Sequence, residues 1–238
     1  MLIGNPINPY NVNEFRNISL KAFLVRRCLP IATVESLRTL VKGEGVYYSN
    51  AFDETNSIFI HIPKAAGTSI SNALYGGRQG HHTALAYKKA NSEKFNNYYK
   101  FTIVRNPWDR LASTYHYLLK SPHAEDRAWA EKNIAKYTSF ESFVKNWLSK
   151  DSIYTWKHFL PQTYFIMEDN EILVDDIFKM ENLSLDFSKI ATKLGCKEQL
   201  SHDNRIERKH YSCLYSKDII DITSKVYETD IEEFNYAF

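Results

Sequence analysis

The chain has 238 residues, 44% hydrophobic and 24% charged, enough for one packed domain that buries roughly two-thirds to three-quarters of its unfolded surface. Its formal net charge of +2 is too small for a dedicated nucleic-acid binder, although a local basic patch can still receive an anion. The three cysteines, Cys28, Cys196 and Cys213, lie far apart with neither metal spacing nor a disulfide framework, which fits a reducing compartment or inert buried thiols.

Residues 1–50 read as a helical extension packed on the domain, with helices expected over 15–29 and 34–41. The apolar stretch 21–31 is interrupted by Arg26 and Arg27 and closed by Pro30, so it falls short of the ~20 apolar residues a membrane span needs. The amino terminus also lacks the basic region, apolar core and small-residue cleavage site of a secretory signal. Residues 51–238 read as the catalytic domain.

Residues 57–62, SIFIHI, are β-branched and aromatic and predict a buried strand, and 69–75 carry Ile70, Ala73 and Leu74 at helical spacing. Between them lies Pro63-Lys64-Ala65-Ala66-Gly67-Thr68. Such a turn leaves backbone N–H groups free at a helix start, where the dipole favours an anion. Lys64 adds a full charge, and Thr68 and Ser69 add hydroxyls, so the turn suits a phosphate or a sulfate; the plain alternative is a βα connection with a solvated lysine. Gly76, Gly77 and Gly80 then lead to His81 and His82, just before a helix over 83–90. An imidazole there is either a capping group or a base of near-neutral pKa, while His61 is expected to pack on the loop or hydrogen-bond to it.

Residues 101–105, FTIVR, predict a second strand of the same type, followed by Asn106 as helix N-cap and Pro107 at the first helical position. Trp108, Leu111, Tyr115 and Leu118 form the core stripe of that helix, with Arg110, Ser113 and Tyr117 on another face. Arg105 at the strand's carboxyl end and Ser113 two turns into the helix can present a guanidinium and a hydroxyl to one phosphate. Ligands of open α/β sheets bind at that edge, which makes one shared crevice the expectation.

Downstream, an aromatic stripe at Tyr137, Phe140, Phe143, Val144, Trp147 and Leu148 predicts a core helix starting near Ser139. A structured loop around Trp156, His158 and Gln162 feeds a strand expected over 164–167. Asn170 marks a turn, the run 172–180 reads as a largely buried strand ended by Glu181, and 184–194 reads as a helix with Leu185, Phe187, Ile190, Ala191 and Leu194 inward and Gly195 as its cap. The basic loop 202–211 carries Arg205, Arg208 and Lys209, which either close over a ligand or are solvated. A final helix is expected over 215–238, with Ile219, Ile222, Val226, Ile231 and Phe234 buried. The sum is an α/β fold with a P-loop-like central parallel sheet flanked by helices in a single domain.

PKAAGTS followed by FTIVRNPWDRLASTY resembles the two signature segments of sulfotransferases that use 3′-phosphoadenosine 5′-phosphosulfate (PAPS), in particular the carbohydrate (Golgi-type) family and its bacterial relatives. WKHFLPQTYFI, VDDIFKMENL and the closing YETDIEEFNYAF extend the likeness over 57–238. The resemblance implies that Pro63, Lys64, Ala65, Ala66, Gly67, Thr68 and Ser69 grip the 5′-phosphosulfate, that Arg105 and Ser113 bind the 3′-phosphate, and that Arg208 and Lys209 close over the nucleotide. It also implies a histidine base, His81 or its neighbour His82, and a substrate or cofactor contact by Gln162 or His82. Eukaryotic members carry an amino-terminal anchor, so the chain is expected to be a cytoplasmic bacterial-type enzyme or else a trimmed catalytic domain.

The expected reaction is in-line transfer of a sulfuryl group to a hydroxyl of a carbohydrate or another acceptor, with adenosine 3′,5′-bisphosphate as product and no metal. Lys64 would neutralise charge on the leaving phosphate and a histidine would take the acceptor proton. Two rivals stand beside it. A nucleotide kinase would carry its lysine at the end of a Gly-rich loop, not at its start, and a non-catalytic nucleotide- or glycan-binding module would need no Lys64.

Overall fold

The computed structural model describes residues 46, 48–77, 79–196 and 210–238. The extension expected over 1–50 and the basic loop, with Arg205, Arg208 and Lys209, therefore lie almost wholly outside the described residues. Three parallel strands form the centre: Ser57–Ile60 (β1), Tyr99–Val104 (β2) and Asp176–Lys179 (β5), in the order β1-β2-β5. Ile60 stands opposite Thr102, and Val104 opposite Lys179. Ile58, Phe59, Ile60, Phe101, Ile103 and Val104 are buried, as continuous apolar strands covered on both faces should be.

Helices flank the sheet: Asn50–Thr55 (α1), Gly67–Tyr75 (α2), Ala84–Ala90 (α3), Ser92–Asn97 (α4) and Pro107–Leu119 (α5). They continue with Ala124–Asn133 (α6), Phe140–Trp147 (α7), Thr163–Ile166 (α8), Leu183–Lys193 (α9), Lys217–Val226 (α10) and Glu228–Glu233 (α11). One apolar cluster surrounds the sheet with α2, α3, α8 and α9. A second gathers Leu111, Tyr115, Leu118, Phe143, Val144 and Ile219 between α5, α7 and α10. The stripe predicted for α5 is buried throughout, and Asn106 Oδ1 caps the helix by accepting from the N–H groups of Trp108 and Asp109 at 3.1 and 3.4 Å. No described helix is long and apolar enough to cross a membrane.

Four expectations need correction. Residues 163–166 form helix α8 instead of a strand, because the buried Asp230 carboxylate accepts from the N–H groups of Gln162 and Thr163 and from the Thr163 hydroxyl at 2.7, 2.9 and 2.9 Å, capping that turn from the other end of the chain. The strand read over 172–180 divides. Met167–Glu168 (β3) and Glu171–Ile172 (β4) close a hairpin through Asp169 and Asn170, both with positive φ, and only β5 joins the main sheet, half-exposed at its edge. Leu185 is 74% exposed, since it lies two residues from Leu183 and so on the opposite side of α9 from Phe187 and Ile190. The terminal helix breaks at Tyr227 into α10 and α11, where the Tyr227 hydroxyl donates to the Phe159 carbonyl at 2.9 Å.

Candidate active site

Because the three strands are parallel, their carboxyl ends open on one edge: Lys64 follows β1, Arg105 follows β2 and Glu181 follows β5. A cavity of about 890 Å³ lies there, lined among others by Lys64, Arg105, Asp109, Ser113, Tyr117 and Glu181. The structure thus brings Lys64, Arg105 and Ser113 together in one cavity, and the volume is that of a cofactor-sized site.

The turn after β1 is strained, with Lys64 at φ 68° and Ala66 at φ 59°, a region that costs an L-residue roughly 1–2 kcal/mol. It is held from α5. Arg105 Nη1 donates to the Lys64 carbonyl at 3.0 Å, and Arg110 Nε donates to the Pro63 carbonyl at 2.9 Å. Arg110, buried inside the protein, also donates to the carbonyls of Leu160 and His158, at 2.9 and 3.3 Å. A Cβ on Gly67 would lie 1.9 Å from the His61 ring, so only glycine lets α2 start against that imidazole. The Ser69 N–H turns into the helix toward the Ala66 carbonyl at 3.1 Å. The N–H groups of Gly67 and Thr68 meet no acceptor among the described residues.

Arg105 is tied down on every side. Its N–H and C=O are both taken by the Gln162 side chain at 2.9 Å, and its Nε and Nη2 both reach Asp109 Oδ2 at 2.8 Å. Gln162, given by the resemblance as a substrate or cofactor contact, is fully buried, with its amide C=O and NH2 both bonded to the Arg105 backbone. Glu181 caps α5 from outside, accepting from the Asn106 N–H at 2.7 Å and the Tyr236 hydroxyl at 2.9 Å.

The adjacent histidines diverge. His81 Nδ1 donates to the His61 carbonyl at 2.9 Å, which fixes the tautomer and leaves Nε2 as acceptor. Its ring lies 4.1 Å from that of His61 and 6.3 Å from that of His158. Burial, then the neighbouring His61, holds its pKa well below the ordinary imidazole value. His82 turns instead toward Tyr87, ring centroids 5.7 Å apart. His61 packs on Phe59 and donates from Nδ1 to the Gln79 carbonyl at 2.9 Å, the packing part expected of it. Neither His81 nor His82 lines the 890 Å³ cavity; the His81 ring lies 6.3 Å from that of His158, which in turn lies 5.2 Å from the ring of the cavity-lining Tyr117.

The chain belongs to the sulfotransferase family, whose sequence model matches residues 50–237, and it is therefore a transferase of sulfuryl groups. An uncharacterized protein of Archaeoglobus fulgidus is 34% identical over 107 residues, 44% of this chain and 75% of that one. No solved structure matches.

Proposed function

We propose that this sulfotransferase uses PAPS as donor and a hydroxyl of a carbohydrate as acceptor. The observation that supports this best is the single cavity shared by Lys64, Arg105 and Ser113, which come from two segments far apart in the chain. The donor set suits that nucleotide: an ammonium, a guanidinium and a hydroxyl line the cavity, and α2, whose first N–H groups are those of Gly67 and Thr68, starts three residues after Lys64. Asp109 and the Lys64 carbonyl take three of the five guanidinium N–H hydrogens, and the other two serve the 3′-phosphate.

When bound, the donor supplies an activated sulfate. The acceptor oxygen forms a bond to sulfur while the bond from sulfur to the 5′-phosphate oxygen breaks with its electron pair. Lys64 meets the charge that grows on that oxygen. His81 Nε2 takes the acceptor proton, with Nδ1 held by the His61 carbonyl. A nucleotide kinase fits less well, because ATP has no 3′-phosphate for Arg105 and Ser113.

His81→Ala is expected to lower transfer of radiolabelled sulfuryl groups to a panel of saccharides by about 100-fold, with binding of adenosine 3′,5′-bisphosphate retained. Because the His81 pKa is depressed, the base form is complete at neutral pH, and the rate should be flat near pH 7 and fall only on acidification below the ordinary imidazole value. A fully active His81→Ala with an inactive His82→Ala would move the base to the neighbouring residue.

A further inference from the structure

Beneath Lys64 lies a buried polar cluster that the transfer reaction above leaves without a task. The Lys64 ammonium sits 3.8 Å from the centroid of the Tyr117 ring. The Tyr117 phenol donates to Asp126 Oδ2 at 3.0 Å, and the Ser121 hydroxyl donates to the same oxygen at 3.1 Å. Asp126 Oδ1 accepts from Trp156 Nε1 at 3.2 Å and lies 3.3 Å from His158 Nε2. Asp126 is 2% exposed and His158 5%. A carboxylate so deeply buried is costly to keep, and an apolar residue would brace α5 against α6 as well.

The direction of its contacts links it to the cavity. Asp126 fixes the phenol of the ring that carries the Lys64 ammonium, and that ring lines the same cavity as Arg105 and Ser113. A lysine on a flexible four-carbon stem loses much rotamer freedom when held in one place. An aromatic face attracts the ammonium through its quadrupole and so favours one position for it. A phenol that donates to a carboxylate is also more electron-rich and a better seat for a cation. Burial alone would raise the Asp126 carboxyl, but the nearby His158, then the Lys157 charge and the Tyr117 hydroxyl, pull it below the usual carboxylate range. The His158 imidazole is pushed down to about 4, chiefly by burial.

We propose that Tyr117 and Asp126 are positioning residues that seat the Lys64 ammonium in the cavity, the ring carrying the cation and the carboxylate holding the ring. This deepens the reading of Lys64 as the group that faces the leaving phosphate, and rests on it.

The test uses the full chain with PAPS alone, water serving as acceptor, and follows sulfate release in Tyr117→Phe, Tyr117→Leu and Lys64→Ala. Tyr117→Leu is expected to lower kcat about tenfold with KM for the donor changed less than about twofold. Tyr117→Phe, which keeps the ring and loses the phenol, is expected to recover most of that rate while remaining slower than the unmodified chain. In a Lys64→Ala background Tyr117→Leu is expected to add nothing. A Leu variant as fast as the unmodified chain, or Phe and Leu variants equally slow, would overturn the seat, and a Phe variant at full rate would remove Asp126 from it. If Lys64→Ala itself is fully active, the fault lies in the reading of the lysine. A second measurement needs no turnover: the ε-methylene protons of Lys64 should resonate upfield through the ring current of Tyr117, and lack of that shift in the unmodified chain would sink the proposal.

Discussion

Lys64→Ala is expected to reduce sulfuryl release from PAPS by about 10²–10³-fold, the loss seen when one well-placed charge-stabilising donor is removed from a transfer site. The substitution removes the one ammonium at the start of the loop and leaves Arg105 and Ser113 in the cavity. Binding of adenosine 3′,5′-bisphosphate should therefore weaken far less than kcat. Stability should hardly change, because alanine replaces a residue already at φ 68° and the Lys64 carbonyl still accepts from Arg105. The readout is release of radiolabelled sulfate at saturating donor beside a calorimetric titration of the bisphosphate. A rate within about threefold of the unmodified chain would contradict the role given to the lysine.

Arg110→Met is expected to cost about 3–5 kcal/mol of stability. The guanidinium serves three carbonyls, those of Pro63, Leu160 and His158, and methionine fills the space while leaving them short of a donor at about 1–3 kcal/mol each. The Thr114 hydroxyl still donates to the His158 carbonyl at 3.3 Å, which softens one of the three. At this chain length the melting temperature should fall on the order of 10 °C. The loss falls on function as well, because Arg110 pins the strained turn whose next residue is Lys64. A melting temperature unchanged within a degree or two would show that the three carbonyls are satisfied some other way.

What the sequence shows clearly is local. The helix α5 is legible from Asn106 and Pro107 through its stripe because cap, first turn and period agree within a few residues. The turn 63–68 and its pairing with Arg105 and Ser113 are legible because small residues, a lysine and a following helix keep a fixed spacing, and the parallel sheet puts both turns on one edge. What escapes depends on distant partners. Asp230 caps α8 from 67 residues away, and no pattern near Thr163 announces it. Gln162 reads from the sequence as a loop residue or a substrate contact, and nothing nearby announces that its amide C=O and NH2 both bond to the Arg105 backbone. Arg110 shows its place on the helix but not the three carbonyls it meets. The helix α6 escapes because only Asp126 and Ala130 along it are buried, so it carries no apolar stripe. Asp109 was within reach, since an acid four residues after an arginine on a helix start is a standard ion-pair spacing.

On the proposed reading one cavity grips an adenosine nucleotide by both phosphates, and two ligands titrated into two proteins test this directly. Adenosine 3′,5′-bisphosphate and adenosine 5′-monophosphate are titrated calorimetrically into the unmodified chain and into Arg105→Gln. The bisphosphate should bind at least about tenfold more tightly than the monophosphate to the unmodified chain, and that preference should vanish in the variant. Equal affinities in the unmodified chain, or a preference that survives the loss of Arg105, would contradict the account.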